Sequence, residues 1–301
     1  MARWTADQVP DQSGRTAIVT GANSGLGLST ARELARHGGH VLVTARSEEK
    51  AEGACAAIRD EVEDASLEPR VLDLADLSSV RDFAQGVESL DVLINNAGVM
   101  MTPKQSTIDG FDLQFGTNHL GHFALTGLLL DKLKAGDDPR VVTVSSLEHK
   151  PGKLDFDDLQ QELRYSPRGA YQQSKFANAV FGLELDRRLR GAGLPIKSVL
   201  AHPGYSDTNL QFAGPQGPIK AVLFFGNKLF AQSADQGALP QLYAATAPEA
   251  DSGAFYGPDW PGETRGHPTR VQPVKRARDL TLGQRLWEVS EELTGVRYLS
   301  G

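Results

Sequence analysis

The sequence predicts an α/β fold, in which one domain is built on a doubly wound parallel sheet of about seven strands with helices on both faces. Short β-branched runs alternate with longer helical patterns along the chain, which is typical of a parallel sheet covered by helices. No low-complexity run, internal repeat or abrupt change of composition divides the 301 residues, so we expect a single domain over 1–301. The 31 glycines exceed the about 21 that average usage predicts, and they follow no period.

The strands are predicted from short runs rich in β-branched and other apolar residues. In chain order they cover residues 16–20, 40–44, 70–72, 91–95, 140–145, 196–201 and 253–256. The helices are predicted from apolar residues that recur at helical spacing, and Ser78 is the expected N-cap of the third helix. They cover residues 24–37, 47–63, 78–88, 168–190, 233–246 and 282–293, and two helices share residues 107–133.

The composition excludes several functional classes. A net charge of −7 argues against nucleic-acid binding, which needs a basic surface. Cys55 is the single cysteine, so no internal disulfide can form and a cysteine-rich metal site is excluded. The polar residues 1–13 and the longest apolar runs, 221–225 and 128–130, fall short of the about 20 residues that a membrane-spanning helix needs. We therefore expect a cytoplasmic protein without a transmembrane anchor or a nucleic-acid partner.

A glycine-rich segment joins the first strand to the first helix. It reads Thr20-Gly21-Ala22-Asn23-Ser24-Gly25-Leu26-Gly27. Gly21 permits a tight turn, Gly25 lets the backbone approach a pyrophosphate, and Gly27 lets the helix pack closely against the sheet. The amide groups and the dipole at the helix N-terminus favour bound phosphates. An ordinary strand–turn–helix connection would accept the same glycines, but the position between strand and helix favours a dinucleotide-binding loop.

Arg46 and Ser47 follow the second strand, where an NAD-binding site usually carries an acidic residue for the ribose 2′-hydroxyl. A guanidinium at this position instead suits a 2′-phosphate, which it binds through several N–H donors. Ser47 adds a hydroxyl donor. The sequence therefore favours NADP(H) as the cofactor over NAD(H). The alternative is that Arg46 is a solvated residue at the start of the next helix.

The loop spacing, TGxxxGxG, resembles that of the short-chain dehydrogenase/reductase family, whose members have the Rossmann fold. Further matching motifs follow in the family's order over residues 20–208. The resemblance implies that Asp73 and Leu74, after the third strand, bind the adenine. It also implies that Asn95 supports the sheet after the fourth strand. The resemblance further implies that the backbones of Ala97 and Gly98 contact the cofactor near the adenine ribose.

Tyr171 and Lys175 form a YxxxK pair, and residues four apart share one face of a helix. The ammonium is expected to lower the pKa of the phenol from its ordinary value of about 10. Tyr171 is then the proton donor to a carbonyl oxygen, or the acceptor in the reverse direction. The pair also contacts the cofactor, with Lys175 holding the nicotinamide ribose. By itself, a YxxxK pair is more often a solvated helix face.

Two further residues complete the catalytic set that the resemblance implies. Ser146, which ends the fifth strand, polarises the substrate oxygen. Asn118 contributes a backbone carbonyl that holds a water molecule, which relays protons to Lys175. Tyr171 follows Ser146 by 25 residues, more than is usual in the family, so residues 148–167 are predicted to be an insertion near the mouth of the site.

The segment after the sixth strand matches the PGxxxT pattern of the family through Pro203, Gly204 and Thr208. The resemblance implies that this turn passes beside the nicotinamide and that Thr208 binds its carboxamide. Region 205–235 lies where the family has a mobile substrate lid, and its residues 218–231 are strongly apolar. A packed core segment, a subunit contact or a peripheral membrane contact would have the same pattern.

Several longer motifs are similar to the retinol dehydrogenase-like and protochlorophyllide reductase-like branch of the family. They are TGANSGLG, NHLGHF, VSSLEH, AYQQSKFAN, HPGYSDT and LWEVSEELTG. Members of this branch are NADP(H)-dependent and often act on lipophilic carbonyls or alcohols. The resemblance therefore implies a small lipophilic substrate, and a homodimer or homotetramer is the candidate assembly.

The main expectation is an NADP(H)-dependent oxidoreductase that interconverts a carbonyl and an alcohol. Two alternatives stay open: a reductase of a carbon–carbon double bond, which would use the same Tyr171 and Lys175, and a non-catalytic NADP(H)-sensing protein. No metal site is expected. His119 and His122 lie three residues apart, but no carboxylate or further histidine supports them as metal ligands, and packing or hydrogen-bonding roles are favoured.

Overall fold

The computed structural model describes residues 3–205 and 232–299, in which eight strands form one sheet of order β3-β2-β1-β4-β5-β6-β7-β8. The strands are β1 (Thr16–Val19), β2 (His40–Ala45), β3 (Leu67–Val71), β4 (Val92–Asn95), β5 (Arg140–Val144), β6 (Lys197–Ala201), β7 (Phe255–Pro258) and β8 (Pro268–Val271). The strand missing from the prediction is β8, which pairs antiparallel with β7. Its own residues are mostly exposed, so its sequence lacks the apolar run by which the other strands were found.

The strand order confirms the doubly wound fold. From β1 the chain first adds β2 and then β3 on one side, and it then returns to place β4 on the other side of β1. All neighbouring strands from β3 to β7 are parallel. The order therefore reverses between β1 and β4, and in open parallel sheets ligands bind at the carboxyl ends of the strands at such a point.

Helices cover both faces of the sheet. They are α1 (Gly25–Arg36), α2 (Glu48–Arg59), α3 (Leu77–Gln85), the single turn α4 (Leu113–Phe115), α5 (Gly121–Leu128), α6 (Leu130–Lys134), α7 (Pro167–Gly191), α8 (Ala234–Thr246) and α9 (Leu280–Thr294). The helical part of the predicted span 107–133 begins only at Leu113. Before it, Ser106 and Asp112 form an isolated antiparallel bridge closed by Gly110, whose φ is 86°. None of the helices in the described ranges is long and apolar enough to cross a membrane.

Burial explains why the central strands are continuous apolar runs. Every residue of β4 and β5 is buried, because helices cover the strands from both sides. Alternate side chains enter different cores: Val19 of β1 joins the core that contains Leu34 of α1, whereas Ile18 joins the core that contains Phe123 of α5. Both faces of the sheet therefore hold the carboxyl ends of β1, β4 and β5 in fixed positions.

The N-cap of α3 is Asp76, and not Ser78 as the sequence predicted. The Asp76 carboxylate accepts hydrogen bonds from the backbone N–H groups of Ser78, at 2.8 Å, and Ser79, at 3.4 Å. Ser78 itself lies within the first turn of the helix. Aspartate and serine are both favoured N-caps, so the residue type alone could not choose between the two positions.

Replacing the observed cap should therefore cost more than replacing the predicted one. We expect Asp76→Ala to lower the free energy of unfolding by about 1 kcal/mol, because two N–H groups lose their acceptor. Ser78→Ala, the matched control, should change it by less than about 0.5 kcal/mol. Urea unfolding followed by circular dichroism measures both values, and a larger loss in the Ser78 variant would contradict the assignment.

Candidate active site

The glycine-rich loop lies at the carboxyl end of β1 and is tied to the strands on both sides. The Ala22 N–H donates to the carbonyl oxygen of Thr44, in β2, at 2.9 Å. On the other side, the side-chain amide of Asn96 donates to the carbonyl oxygen of Thr20 at 2.8 Å. The loop therefore spans the gap between β2 and the turn after β4, at the point where the strand order reverses.

Close packing explains two of the glycines in this loop. Gly21 has a φ of 65°, in the left-handed region that favours glycine. A Cβ atom on Gly27 would lie 2.4 Å from the carbonyl oxygen of Gly21, so only glycine lets the first turn of α1 approach the loop. These contacts confirm the predicted tight turn and close packing.

The first turn of α1 has N–H groups suited to a bound anion. Ser24 is the N-cap, and within the described residues its side chain makes no capping hydrogen bond. The predicted contacts Asn23, Gly25 and Leu26 lie in the same segment, in or beside the turn. Uncapped backbone N–H groups at the start of a 12-residue helix fit the pyrophosphate of a dinucleotide.

Arg46 and Asp73 follow two strands that pair side by side. The Leu72 N–H donates to the carbonyl oxygen of Ala45 at 2.8 Å, so the residues after β2 and β3 leave the sheet together. Arg46 is exposed, and within the described part of the chain it has no hydrogen bond or ion pair. Asp73 caps its own turn by accepting from the Ala75 N–H at 2.9 Å. The predicted contacts Ser47 and Leu74 lie next to these two residues.

The turn after β4 connects the nucleotide loop to the helices. The side-chain amide of Asn95 donates to the Thr126 hydroxyl at 3.0 Å, which confirms that Asn95 supports the sheet by holding α5 against it. The Ala97 N–H donates to the Thr20 hydroxyl at 2.9 Å. A Cβ atom on Gly98 would lie 3.1 Å from the Oδ1 of Asn118, so the turn runs directly over the predicted catalytic residues.

Asn118 lies in a short stretch of π-helix, Gly116–Leu120, and is fully buried. Its side chain holds the backbone of Val99 from both directions. Oδ1 accepts from the Val99 N–H at 2.8 Å, and Nδ2 donates to the Val99 carbonyl oxygen at 2.9 Å. Nδ2 also donates to the Ser174 hydroxyl at 2.9 Å, next to Lys175. Asn118 therefore joins the turn after β4 to α7.

The structure brings Ser146, Tyr171 and Lys175 together at the carboxyl end of β5. The Ser146 side chain lies close enough to the Tyr171 phenol to lower its pKa. The Nζ of Lys175 lies 5.9 Å from the centroid of the Tyr171 ring and donates to the Val144 carbonyl oxygen at 3.1 Å. The helix that carries the pair, α7, begins where Ser166 accepts a hydrogen bond from the Gly169 N–H.

Burial dominates the acid–base behaviour of this pair. It raises the pKa of Tyr171 to about 12, although the neighbouring Ser146 side chain acts in the opposite direction. Burial also lowers the pKa of Lys175 to about 8. The expected lowering of the phenol pKa by Lys175 is therefore wrong for the described structure, because the cost of removing a phenolate from water is the largest effect.

A network of polar side chains around the buried His202, which the sequence did not predict, supports the turn after β6. The Gly204 N–H donates to the Nδ1 of His202 at 3.2 Å, so Nε2 of the neutral ring carries the proton and donates to Glu263 at 2.9 Å. Lys150 donates to the other carboxylate oxygen of Glu263 at 2.8 Å. The hydrogen bond from His202 is the main reason that the pKa of Glu263 is lowered to about 2.

A second histidine holds the loop that carries Ser146. The Nδ1 of His149 donates to the Ser146 carbonyl oxygen at 2.6 Å, and its Nε2 accepts from the Val274 N–H at 3.3 Å. Burial lowers the pKa of His149 to about 4, so the ring is neutral. His149 and His202 both lie in motifs that the sequence analysis recognised, so their position in those motifs could have identified them. Nothing in the sequence identifies Glu263, because it lies 113 residues from its partner Lys150.

The predicted insertion, residues 148–167, packs against the segment before α5. The Tyr165 hydroxyl donates to the Thr102 carbonyl oxygen at 2.6 Å. The Asp112 N–H donates to the Oε1 of Gln160 at 2.7 Å. The insertion thus covers the chain that leads into α4.

The turn after β6 and the predicted lid contain the remaining residues that the sequence assigned to this site. Gly204 has a φ of 67°, and Gln232 donates to the Pro203 carbonyl oxygen at 2.6 Å. Thr208 and residues 206–231 of the predicted lid lie outside the described residues. Within the described ranges, no group of three or more histidine, cysteine or acidic residues could hold a metal ion.

Comparison with known proteins places this geometry in a family context. The family described as "short chain dehydrogenase" matches residues 15–216. Retinol dehydrogenase 13 of Homo sapiens is 43% identical over 291 residues, which are 94% of this chain and 85% of that protein. Polyprenol dehydrogenase of Mus musculus is 42% identical over 296 residues, which are 95% of this chain and 86% of that protein.

Solved structures agree with the sequence comparison. A putative uncharacterized protein from Mycobacterium Paratuberculosis is 46% identical with a TM-score of 0.84, and the match covers 99% of both chains. A putative NAD(P) dependent gluconate 5-dehydrogenase from Beutenbergia cavernae, with bound NADP at low occupancy, has a TM-score of 0.64 and covers 81% of this chain and 94% of its own. It is 24% identical, so it shows the fold alone.

The Glu263 network predicts a pH-dependent contribution to stability. The pKa of Glu263 is lowered from 4.5 to about 2 on folding, so its stabilising effect is complete above pH 4.5 and disappears as the pH falls towards 2. Because its side chain is 24% exposed, we expect Glu263→Gln to lower the free energy of unfolding at neutral pH by only about 1–2 kcal/mol. This deficit should shrink steadily below pH 4.5.

Asp251→Asn is the matched control, because Asp251 pairs with Arg270 at the surface, where the side chains are 64% and 58% exposed. Its effect should stay below about 0.5 kcal/mol at every pH. Urea unfolding between pH 3.5 and 8 measures both variants. A Glu263→Gln deficit that does not change over this range would contradict the prediction.

Proposed function

The chain belongs to the short-chain dehydrogenase family and is an oxidoreductase, and from that premise we propose that it interconverts a lipophilic carbonyl and its alcohol with NADP(H). The observation that carries the proposal is that the buried Tyr171 phenol lies close enough to the Ser146 side chain for Ser146 to lower its pKa. This arrangement gives the substrate oxygen two polar partners at the carboxyl end of β5. The relatives named retinol and polyprenol dehydrogenases support a lipophilic substrate.

In the direction of reduction, Tyr171 supplies the proton. Its pKa of about 12 keeps the phenol protonated at neutral pH, which is the form that can donate to a carbonyl oxygen. Ser146 donates to the same oxygen and stabilises the negative charge that develops there. The cofactor, when bound, supplies the hydride. In the reverse direction the phenol must first lose its proton before it can accept one from the alcohol.

Lys175 provides positive charge below this pair. A pKa of about 8 leaves the ammonium mainly charged at neutral pH. One of its three N–H groups donates to Val144, and a Cβ atom on Gly98 would lie 3.5 Å from Nζ. The ammonium therefore lies beneath the turn assigned to the cofactor, where its remaining donors can bind the nicotinamide ribose.

The residues around the switch point fit NADP(H). The uncapped start of α1 would hold the pyrophosphate, and the exposed Arg46 would hold the 2′-phosphate through its guanidinium. Ser47 lies next to it at the start of α2 and makes no capping bond within the described residues. Asp73 and the backbone of Ala97 would contact the adenosine. No acidic residue stands directly after β2 to bind a free 2′-hydroxyl.

We also propose that region 205–235 forms a substrate lid, that the protein assembles as a homodimer or homotetramer, and that it is located in the cytoplasm. Light scattering of the purified protein reports the assembly, and fractionation of cells reports the location. Recovery in the membrane fraction would overturn the cytoplasmic assignment.

Removing the Tyr171 hydroxyl should abolish turnover without affecting cofactor binding. We expect Tyr171→Phe to lower kcat for the reduction of retinal and of a long-chain aliphatic aldehyde by about 10²–10⁴-fold, the usual contribution of a general acid. The Kd of NADPH, measured by fluorescence titration, should stay within about twofold. Tyr165→Phe is the matched control, since Tyr165 donates to the Thr102 backbone, and should keep its kcat. Retained turnover in the Tyr171 variant would exclude the mechanism.

Arg46 should decide which dinucleotide binds. Loss of a charge-assisted contact of about 1.5–3 kcal/mol predicts that Arg46→Ala raises the Kd of NADPH by about 10–100-fold. The Kd of NADH should stay nearly constant, because NADH has no 2′-phosphate. Lys50→Ala removes a different exposed cation, which lies in the first turn of α2, and serves as the control. Equal losses for NADPH and NADH would show that Arg46 does not bind the 2′-phosphate.

A further inference from the structure

A buried histidine connects the nucleotide loop to the predicted catalytic residues. The Nε2 of His122 lies 2.9 Å from the Thr20 hydroxyl. Its Nδ1 lies 3.0 Å from the backbone carbonyl oxygen of Asn118. His122 is 1% exposed, and Thr20 and Asn118 are fully buried, so no solvent competes for these contacts.

The partners determine which ring nitrogen carries the proton. A carbonyl oxygen only accepts hydrogen bonds, so the Nδ1 of His122 must be the donor to Asn118. Burial lowers the pKa of His122 to about 4, so the ring is neutral and Nε2 has no proton. Nε2 therefore accepts, and the Thr20 hydroxyl donates to it.

The surroundings of Thr20 fit this assignment. Its hydroxyl oxygen already accepts from the backbone N–H groups of Asn96 and Ala97, both at 2.9 Å. Its single proton has two possible acceptors, His122 at 2.9 Å and the Ile94 carbonyl oxygen at 3.2 Å. The shorter contact goes to the histidine.

We propose that His122 is a positioning residue for the reaction: its Nδ1–H group holds the Asn118 carbonyl oxygen in place, while the Thr20 hydroxyl fixes the ring in the tautomer that can do so. The carbonyl group lies in the π-helical stretch and is the atom that the sequence analysis assigned to the proton relay. His122 thereby fixes the direction in which this carbonyl group points. This inference rests on the proposed function.

Two conservative variants separate the two hydrogen bonds. The amide nitrogen of asparagine can occupy the position of the histidine Nδ1, whereas the longer glutamine places its amide near Nε2. We expect His122→Asn to keep the donor to Asn118 and to retain kcat within about threefold. We expect His122→Gln to keep a partner for Thr20, to lose that donor, and to lower kcat at least about tenfold at saturating NADPH, with the Kd of NADPH within about twofold.

His119→Gln is the matched control, because His119 is equally buried in the same region but contacts the Ser290 hydroxyl at 2.9 Å. It should lower the melting temperature and leave kcat within about threefold. A purely structural role of His122 would make the Asn and Gln variants lose kcat equally. Equal losses, the reverse order, or a loss that disappears at saturating NADPH would overturn the proposal.

A measurement on the unmodified protein tests the tautomer without any turnover. Nitrogen chemical shifts of ¹⁵N-histidine-labelled protein should show His122 as a neutral ring with its proton on Nδ1, unchanged between pH 5.5 and 8. The signal is assigned by its disappearance in His122→Asn. A proton on Nε2, or titration in this range, would overturn the proposal. An inactive unmodified protein with the expected tautomer would instead count against the proposed reaction alone.

Discussion

The hydroxyl group of Thr20 is the contact on which the arrangement of the site depends. It lies at the end of β1, accepts from Asn96 and Ala97 of the turn after β4, and faces His122 of α5. The strand order reverses between these two strands, which is where ligands bind in open parallel sheets. One buried side chain holds both turns and the helix beneath them in register, and Asn118 extends the connection to α7.

Burial also determines the chemistry that the site can perform. Because α7 is packed against the sheet, Tyr171 and Lys175 both lose water, which makes the charged form of each less stable than it is in water. The pKa of the phenol rises to about 12, while the pKa of the ammonium falls to about 8. The sequence suggested that the attraction between these two neighbouring side chains would set their pKa values. In the structure, both pKa values are determined mainly by the removal of the side chains from water.

Contacts between distant segments complete the site. Glu263 joins His202, below the turn after β6, to Lys150, beside the loop that carries Ser146. The backbone at Glu263 has a φ of 58°, a conformation that costs free energy in a residue other than glycine. The ion pair with Lys150 and the hydrogen bond from His202 offset this cost, so the two loops flanking the site are held by one carboxylate.

The sequence by itself determined the parallel α/β fold, the position of the nucleotide loop and the convergence of Ser146 with Tyr171, because these depend on local periodicity and on the order of motifs along the chain. The sequence predicted the wrong N-cap for α3, because aspartate and serine are both favoured caps. It also missed β8, because this strand lacks an apolar run. Only the tertiary structure decided the pKa of Tyr171, the tautomer of His122 and the place of Glu263. Desolvation and hydrogen-bond partners come from segments far apart in the chain, and no local pattern records them.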